Sequence, residues 1–130
     1  MKRIFLLLTV AAMTAFTGCS NDDDRVDRDT ISEVFEINQN TTFNLDNNYT
    51  IDYTLIPQIY SSDMILIFRL AGTSGGNDVW EPLPKTYYFS DGSELDYTFD
   101  FTVNDIQIRM DGTNLGAAPA SFTNNQVFRV

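Results

Sequence analysis

Leu95-Asp96-Tyr97-Thr98-Phe99-Asp100-Phe101-Thr102-Val103 places five apolar side chains on one side of an extended chain and four polar ones on the other. The period is two, the signature of a β-strand with one dry face. Phe99 lies mid-strand on the side expected to face inward. Around residues 49–56 the same alternation recurs, with Tyr49, Ile51, Tyr53 and Leu55 against Thr50, Asp52 and Thr54. Residues 64–70 are almost continuously apolar, interrupted only by Arg69 and bounded by Ser61-Ser62 and by the glycines at 72–76. A run of this kind predicts a strand covered on both faces. Weaker strand patterns occupy 31–37, 79–83, 86–89, 106–110 and 126–130.

Turn chemistry separates these runs: Asn47-Asn48, Ser61-Ser62-Asp63, Gly75-Gly76-Asn77-Asp78, Asp91-Gly92, Asn104-Asp105, Asp111-Gly112 and Asn124-Asn125. The segment Gly72-Thr73-Ser74-Gly75-Gly76 reads as a flexible hairpin loop, because no Lys-Thr or Lys-Ser pair and no helix follows to make a phosphate cradle. After the first 18 residues, no window carries the i, i+3, i+4, i+7 apolar pattern of a helix. The expectation is an all-β domain over 30–130, an antiparallel β-sandwich of seven to eight short strands. Its topology is expected to be immunoglobulin-like or fibronectin-III-like, with a small barrel as the alternative. Val127-Phe128-Arg129-Val130 stops in mid-alternation and reads as an edge strand or a truncated terminus.

The N-terminus carries an address. Met1-Lys2-Arg3 is basic, the stretch to Ala15 is apolar, and Phe16-Thr17-Gly18-Cys19 ends it with small residues before the single cysteine of the chain. Residues 1–18 read as a signal peptide, too short for a stable membrane span of about 20 apolar residues. Thr17-Gly18-Cys19 resembles the lipobox of bacterial lipoproteins, departing from it at Phe16, where that family prefers Leu. The resemblance implies that the Cys19 thiol receives a diacylglycerol and becomes residue one. Acyl chains contribute about 0.8 kcal/mol per buried methylene, enough to hold an acidic domain at a bilayer without a helix. The anchor consumes the thiol, so no disulfide is expected in the monomer.

Residues 19–29 read as an acidic flexible tether. Within it, Ser20, Asp22, Asp23 and Asp24 follow the cysteine directly and resemble the surface-export signal of Bacteroidetes lipoproteins. Asp29-Thr30-Ile31 is similar to the Bacteroidetes O-glycosylation pattern, which makes Thr30 a candidate acceptor; the other reading is that Asp29 and Thr30 simply begin the first strand. As a whole the chain resembles the small outer-membrane lipoproteins of Bacteroidetes whose function is undefined. That resemblance implies a lipid-anchored domain on the extracellular side of the outer membrane and supplies no mechanism.

Charge and composition narrow the chemistry. From Cys19 onward, six basic residues (Arg25, Arg28, Arg69, Lys85, Arg109 and Arg129) stand against 18 acidic ones, a net charge of −12. Such a surface repels nucleic-acid backbones, so no nucleic-acid partner is expected, and the membrane is met through the lipid anchor only. The chain contains no histidine, which removes His-dependent nucleophilic catalysis and His zinc sites. Asp96 and Asp100 share a strand face about 13 Å apart, beyond the roughly 5–9.5 Å of a glycosidase pair. No enzyme activity is expected.

Two sets of residues remain as ligand candidates. Calcium takes oxygen ligands, and Asp46 (with Asn44 and Asn48), Asp91 and Asp96 sit in oxygen-rich turns; Asx turns closing hairpins are the competing explanation. Trp80, Tyr87 and Tyr88 flank Pro82 and Pro84 and could grip a glycan or a protein partner, whereas a lone Trp can equally plug a small core. The expected function is a non-catalytic interaction or structural module, with a carbohydrate-binding or calcium-dependent small-ligand domain as the alternative.

Overall fold

The structure, a computed structural model, describes Ser32–Val130. Its strands in chain order are β1 (Glu36–Ile37), β2 (Thr50–Thr54), β3 (Phe68–Ser74), β4 (Asn77–Pro82), β5 (Lys85–Tyr88), β6 (Glu94–Phe101), β7 (Asp105–Gly112) and β8 (Phe128–Arg129). Between β7 and β8 lie a 3-10 turn, Leu115–Ala117, and a single-turn helix α1, Ala120–Thr123. The strands form two antiparallel four-stranded sheets: sheet A in the order β1-β8-β3-β4 and sheet B in the order β2-β7-β6-β5. This is a β-sandwich, not a barrel. In the immunoglobulin order the first two strands share a sheet; here β1 pairs with β8, and β2 pairs with β7 in the other sheet.

Alternation in the sequence becomes one shared interior. In β6, Leu95 and Tyr97 are buried, while Phe99 and Phe101 are half-buried where the strand runs out past the core. Opposite them in the ladder, Ile106, Ile108 and Met110 of β7 are buried, with Ile108 flanked by Ile51 on β2 and by Phe99 on β6. The sheets meet through rings: Tyr97 of sheet B lies edge-on to Phe128 of sheet A at 6.2 Å, and Phe43 touches both, at 5.6 and 6.2 Å. Each such fully buried side chain contributes about 1.5–3 kcal/mol by leaving water.

Several expectations are corrected. Residues 72–74 belong to β3, and the hairpin closes tightly on Gly75 and Gly76 between the paired Ser74 and Asn77. Both glycines have positive φ, 59° and 84°, as a two-residue primed turn requires. The run at 64–70 is not covered on both faces. Ile65 and Ile67 are buried, but Met64 is 80% and Leu66 69% exposed, and the regular strand begins only at Phe68. Among the described residues of the pattern at 31–37, the regular strand is confined to Glu36 and Ile37, with Phe35 exchanging backbone bonds with Val130 beside it at 3.1 and 2.9 Å. The last strand is no edge strand, because β8 sits between β1 and β3. Finally, α1 forms without a helical pattern: Pro119 leads into one turn that needs no amphipathic repeat.

Candidate functional site

Cys19, Ser20, Asp22, Asp23, Asp24 and Thr30 lie outside the described residues. The remaining candidates do not converge. Asp91 sits in the β5–β6 turn, where its carboxylate accepts from the Ser93 N–H at 2.9 Å and the Ser93 hydroxyl at 2.6 Å. These bonds hold its carboxyl below the usual carboxylate range. Asp96 accepts from the Thr86 hydroxyl on the neighbouring strand β5. Asp46 is exposed in a turn closed by Asn44 and Asn47, each N–H donating to the other's side-chain oxygen at 3.0 and 3.1 Å. The turns are thus self-satisfied Asx structures. Among the described residues no three Asp, Glu, Cys or His side chains are gathered to hold a metal.

The three aromatics are likewise divided. Tyr88 is 79% exposed on sheet B. Tyr87, one residue earlier, points inward. Trp80 is half-buried on sheet A outside the core, so it does not plug the interior; the Arg129 guanidinium lies 3.8 Å from its ring centre.

Tyr87 belongs to a cluster built around Arg69, a residue whose role the sequence reading missed. Arg69 is 4% exposed. Its Nε donates to Gln126 Oε1 at 2.8 Å, one terminal nitrogen to the Tyr87 hydroxyl at 3.1 Å, and the other to the Ser121 carbonyl at 3.1 Å. The guanidinium also lies 5.0–5.5 Å from the rings of Tyr87, Tyr97 and Phe122. Among the described residues no carboxylate is within ion-pair distance of it; three neutral acceptors and three aromatic rings replace a counter-ion. Tyr87 in turn donates to Glu81, which also pairs with Lys85 at 3.1 Å. Burial works to raise the Glu81 carboxyl, but these two partners outweigh it and hold it low. Burial pushes Tyr97 up to about 12; burial and the Glu81 bond do the same for Tyr87. The one sequence signal was a lone arginine interrupting an apolar run, the mark of a buried cation that must find partners.

Two clefts flank this framework. One, of about 250 Å³, lies between the β5–β6 turn and the 3-10 turn, with Phe89, Asp91, Glu94, Asn114 and Leu115 in its wall. The other, about 200 Å³, is bordered by Arg69, Gly72, Ser121, Asn125 and Gln126. Both fall below the roughly 300 Å³ at which small-molecule pockets begin.

The outer face of sheet A offers more. Residues opposite in an antiparallel ladder share a face, and the register aligns Glu36, Arg129, Phe68 and Pro82 in one row and Leu70 with Trp80 in the next. Arg129 pairs with Glu36 at 2.8 Å and lies over Trp80, so the β1–β8 end of this row is polar while Phe68 and Pro82 continue it as apolar surface. Leu66 and Met64 carry the outward stripe beyond Phe68, largely in solvent. Among the described residues no helix is long and apolar enough to cross a membrane. Comparison with protein-family profiles, with curated protein sequences and with solved structures finds no match.

Proposed function

We propose that this chain is a lipid-anchored lipoprotein on the outer face of the outer membrane, and that its β-sandwich is a non-catalytic module binding a protein partner through the outer face of sheet A. The observation that carries the reading is the outward stripe of Met64, Leu66, Phe68 and Leu70 beside Trp80 and Pro82. Exposed apolar side chains scattered singly need no explanation, whereas a contiguous apolar row on one outward face marks a contact surface. The clefts, both smaller than an ordinary small-molecule pocket, favour surface binding over small-ligand binding. Cys19 supplies the anchor and Asp22-Asp23-Asp24 the export signal, so the binding face is presented to the medium.

Two measurements test this in intact cells. Replacing Asp22, Asp23 and Asp24 together by alanine should leave the protein in the outer-membrane fraction but close it to added protease; equal access would sink the export claim. A photoreactive residue in place of Leu66 should give a discrete cross-linked adduct. The same group in place of Thr98, exposed on sheet B, should give none. Adducts equally abundant from both positions, or absent from Leu66, would contradict the assigned face.

A further inference from the structure

Arg69 is solvated inside the sandwich but not neutralised there. A guanidinium carries five N–H donors. Nε spends its one on Gln126 Oε1, and the terminal nitrogens spend one each on the Tyr87 hydroxyl and the Ser121 carbonyl. One N–H on each terminal nitrogen is left without an acceptor among the described residues. Glu81 meets this charge only through the Tyr87 hydroxyl, which accepts from Arg69 and donates to the carboxylate. A charge 96% removed from solvent calls for an opposite charge as well as for hydrogen bonds.

The cleft of about 200 Å³ adjoins this cation. Arg69 borders it together with two of its own acceptors, Gln126 and Ser121. The chain has 18 acidic residues against eight basic ones, yet among the described residues none of the acidic ones lines this cleft, and Arg69 is its one charged side chain. The rest of the polar wall is free to donate. Asn124 and Asn125 are exposed, and among the described residues neither of their side-chain amides, nor the Ser121 hydroxyl, donates a hydrogen bond. The wall is also held in place: the Gln126 amide donates to the Ser121 and Asn124 carbonyls, and the Asn125 N–H to the Thr42 hydroxyl at 3.2 Å. A volume short of an ordinary small-molecule pocket is ample for one carboxylate group.

We propose that this cleft is a carboxylate site. One carboxylate accepts from the two unspent N–H groups of Arg69 and from the side-chain amides of Asn124 and Asn125, and it supplies the counter-ion that the interior lacks. Charge-assisted bonds of this kind are about twice as strong as neutral ones, and a planar fork of donors favours a planar carboxylate over a spherical halide. A small free acid and an acidic side chain on a protein partner offer the same chemistry. The site stands on the Arg69 cluster and not on the apolar face of sheet A.

The test uses the full chain in sodium acetate and in sodium chloride of equal ionic strength at neutral pH, followed by thermal melts and by the ¹⁵N resonances of the Arg69 guanidinium. Acetate should raise the melting temperature saturably, by at least about 3 °C, and should move the Arg69 Nη signals; chloride should do neither. Asn125→Asp places a carboxylate in the wall at an exposed position whose φ of 47° Asp tolerates as Asn does. It should keep the fold and weaken acetate at least about tenfold. Arg69→Met should abolish the acetate response, and where that variant fails to fold, Asn125→Asp decides. An equal rise in chloride, a melt shift without movement of the Arg69 signals, or unchanged acetate affinity in Asn125→Asp would each overturn the proposal. Cross-linking from Leu66 repeated in saturating acetate distinguishes the sources, given the acetate response: adducts that disappear assign the carboxylate to the partner, and adducts that persist assign it to a free acid.

Discussion

Arg69 is the residue at which the fold is most exposed to a single substitution. Its guanidinium donates to three acceptors on separate parts of the chain, Gln126, Tyr87 and Ser121, and fills the space between three rings. In Arg69→Ala, Ser121 keeps a donor from the Gln126 amide, and Tyr87 keeps its bond to Glu81, so one buried acceptor, Gln126 Oε1, is left bare. That acceptor costs about 1–3 kcal/mol, and the lost cation–π contacts up to about 2 kcal/mol. Release of a desolvated charge offsets part of this, and the space left by the missing stem adds to it, which leaves a net loss of about 3 kcal/mol. Arg69→Met fills the stem volume and should lose about 1–2 kcal/mol. Arg69→Lys keeps the charge but presents a point donor where a planar fork reached three partners, so it should lose about 2 kcal/mol. Urea melts read these as shifts in midpoint at constant slope. If Arg69→Lys matched the parent while Arg69→Met unfolded, charge and not the fork would be what the site requires, and the account of the cluster would be refuted.

Two further outcomes follow from named contacts. A Cβ on Gly112 would collide with the Glu94 carbonyl, a backbone atom that cannot swing aside, so Gly112→Ala should cost about 1–3 kcal/mol in thermal melts; an unchanged melting temperature would mean that β6 and β7 approach less closely than described. Tyr87 and Tyr97 are raised to about 12 in the folded chain from an ordinary 10, so their stabilising contribution is intact below pH 10 and is lost as pH rises through 12. Stability should fall by up to about 1.4 kcal/mol for each pH unit in that window for Tyr97 and by less for Tyr87, which is more open to solvent; Tyr87→Phe should lessen the fall, and a flat profile would refute it.

The strands with one dry face were legible in sequence because alternation is a local property: most of 95–103 and the middle of 49–56 became β6 (Glu94–Phe101) and β2 (Thr50–Thr54), with Leu95, Tyr97 and Ile51 buried as read. Residues 64–70 show where locality fails. Their apolar character was plain, but periodicity states which side chains avoid water and not what covers them; the fold covers Ile65 and Ile67 and leaves Met64 and Leu66 outside. The central position of β8 depends on pairing with strands about 60 and 90 residues earlier, which no local pattern encodes. Arg69 was visible as an exception, yet its partners come from β5, β6, α1 and the segment before β8. Asp46, Asp91, Asp96 and the aromatic trio were proposed from local residue types, and tertiary placement sets them apart: Asp91 and Asp96 each bond a neighbouring hydroxyl, Tyr87 joins the Arg69 cluster, and Asp46 and Tyr88 are exposed.

The central claim is that the fold leaves the outer stripe of sheet A free for another molecule. Its most direct test is the urea-melt stability of the chain carrying Met64→Ser and Leu66→Ser together. With both side chains in solvent, the double variant should match the parent within about 0.5 kcal/mol. A loss of about 2 kcal/mol or more would mean that these residues are buried by the chain itself, and that the face assigned to a partner is already in use.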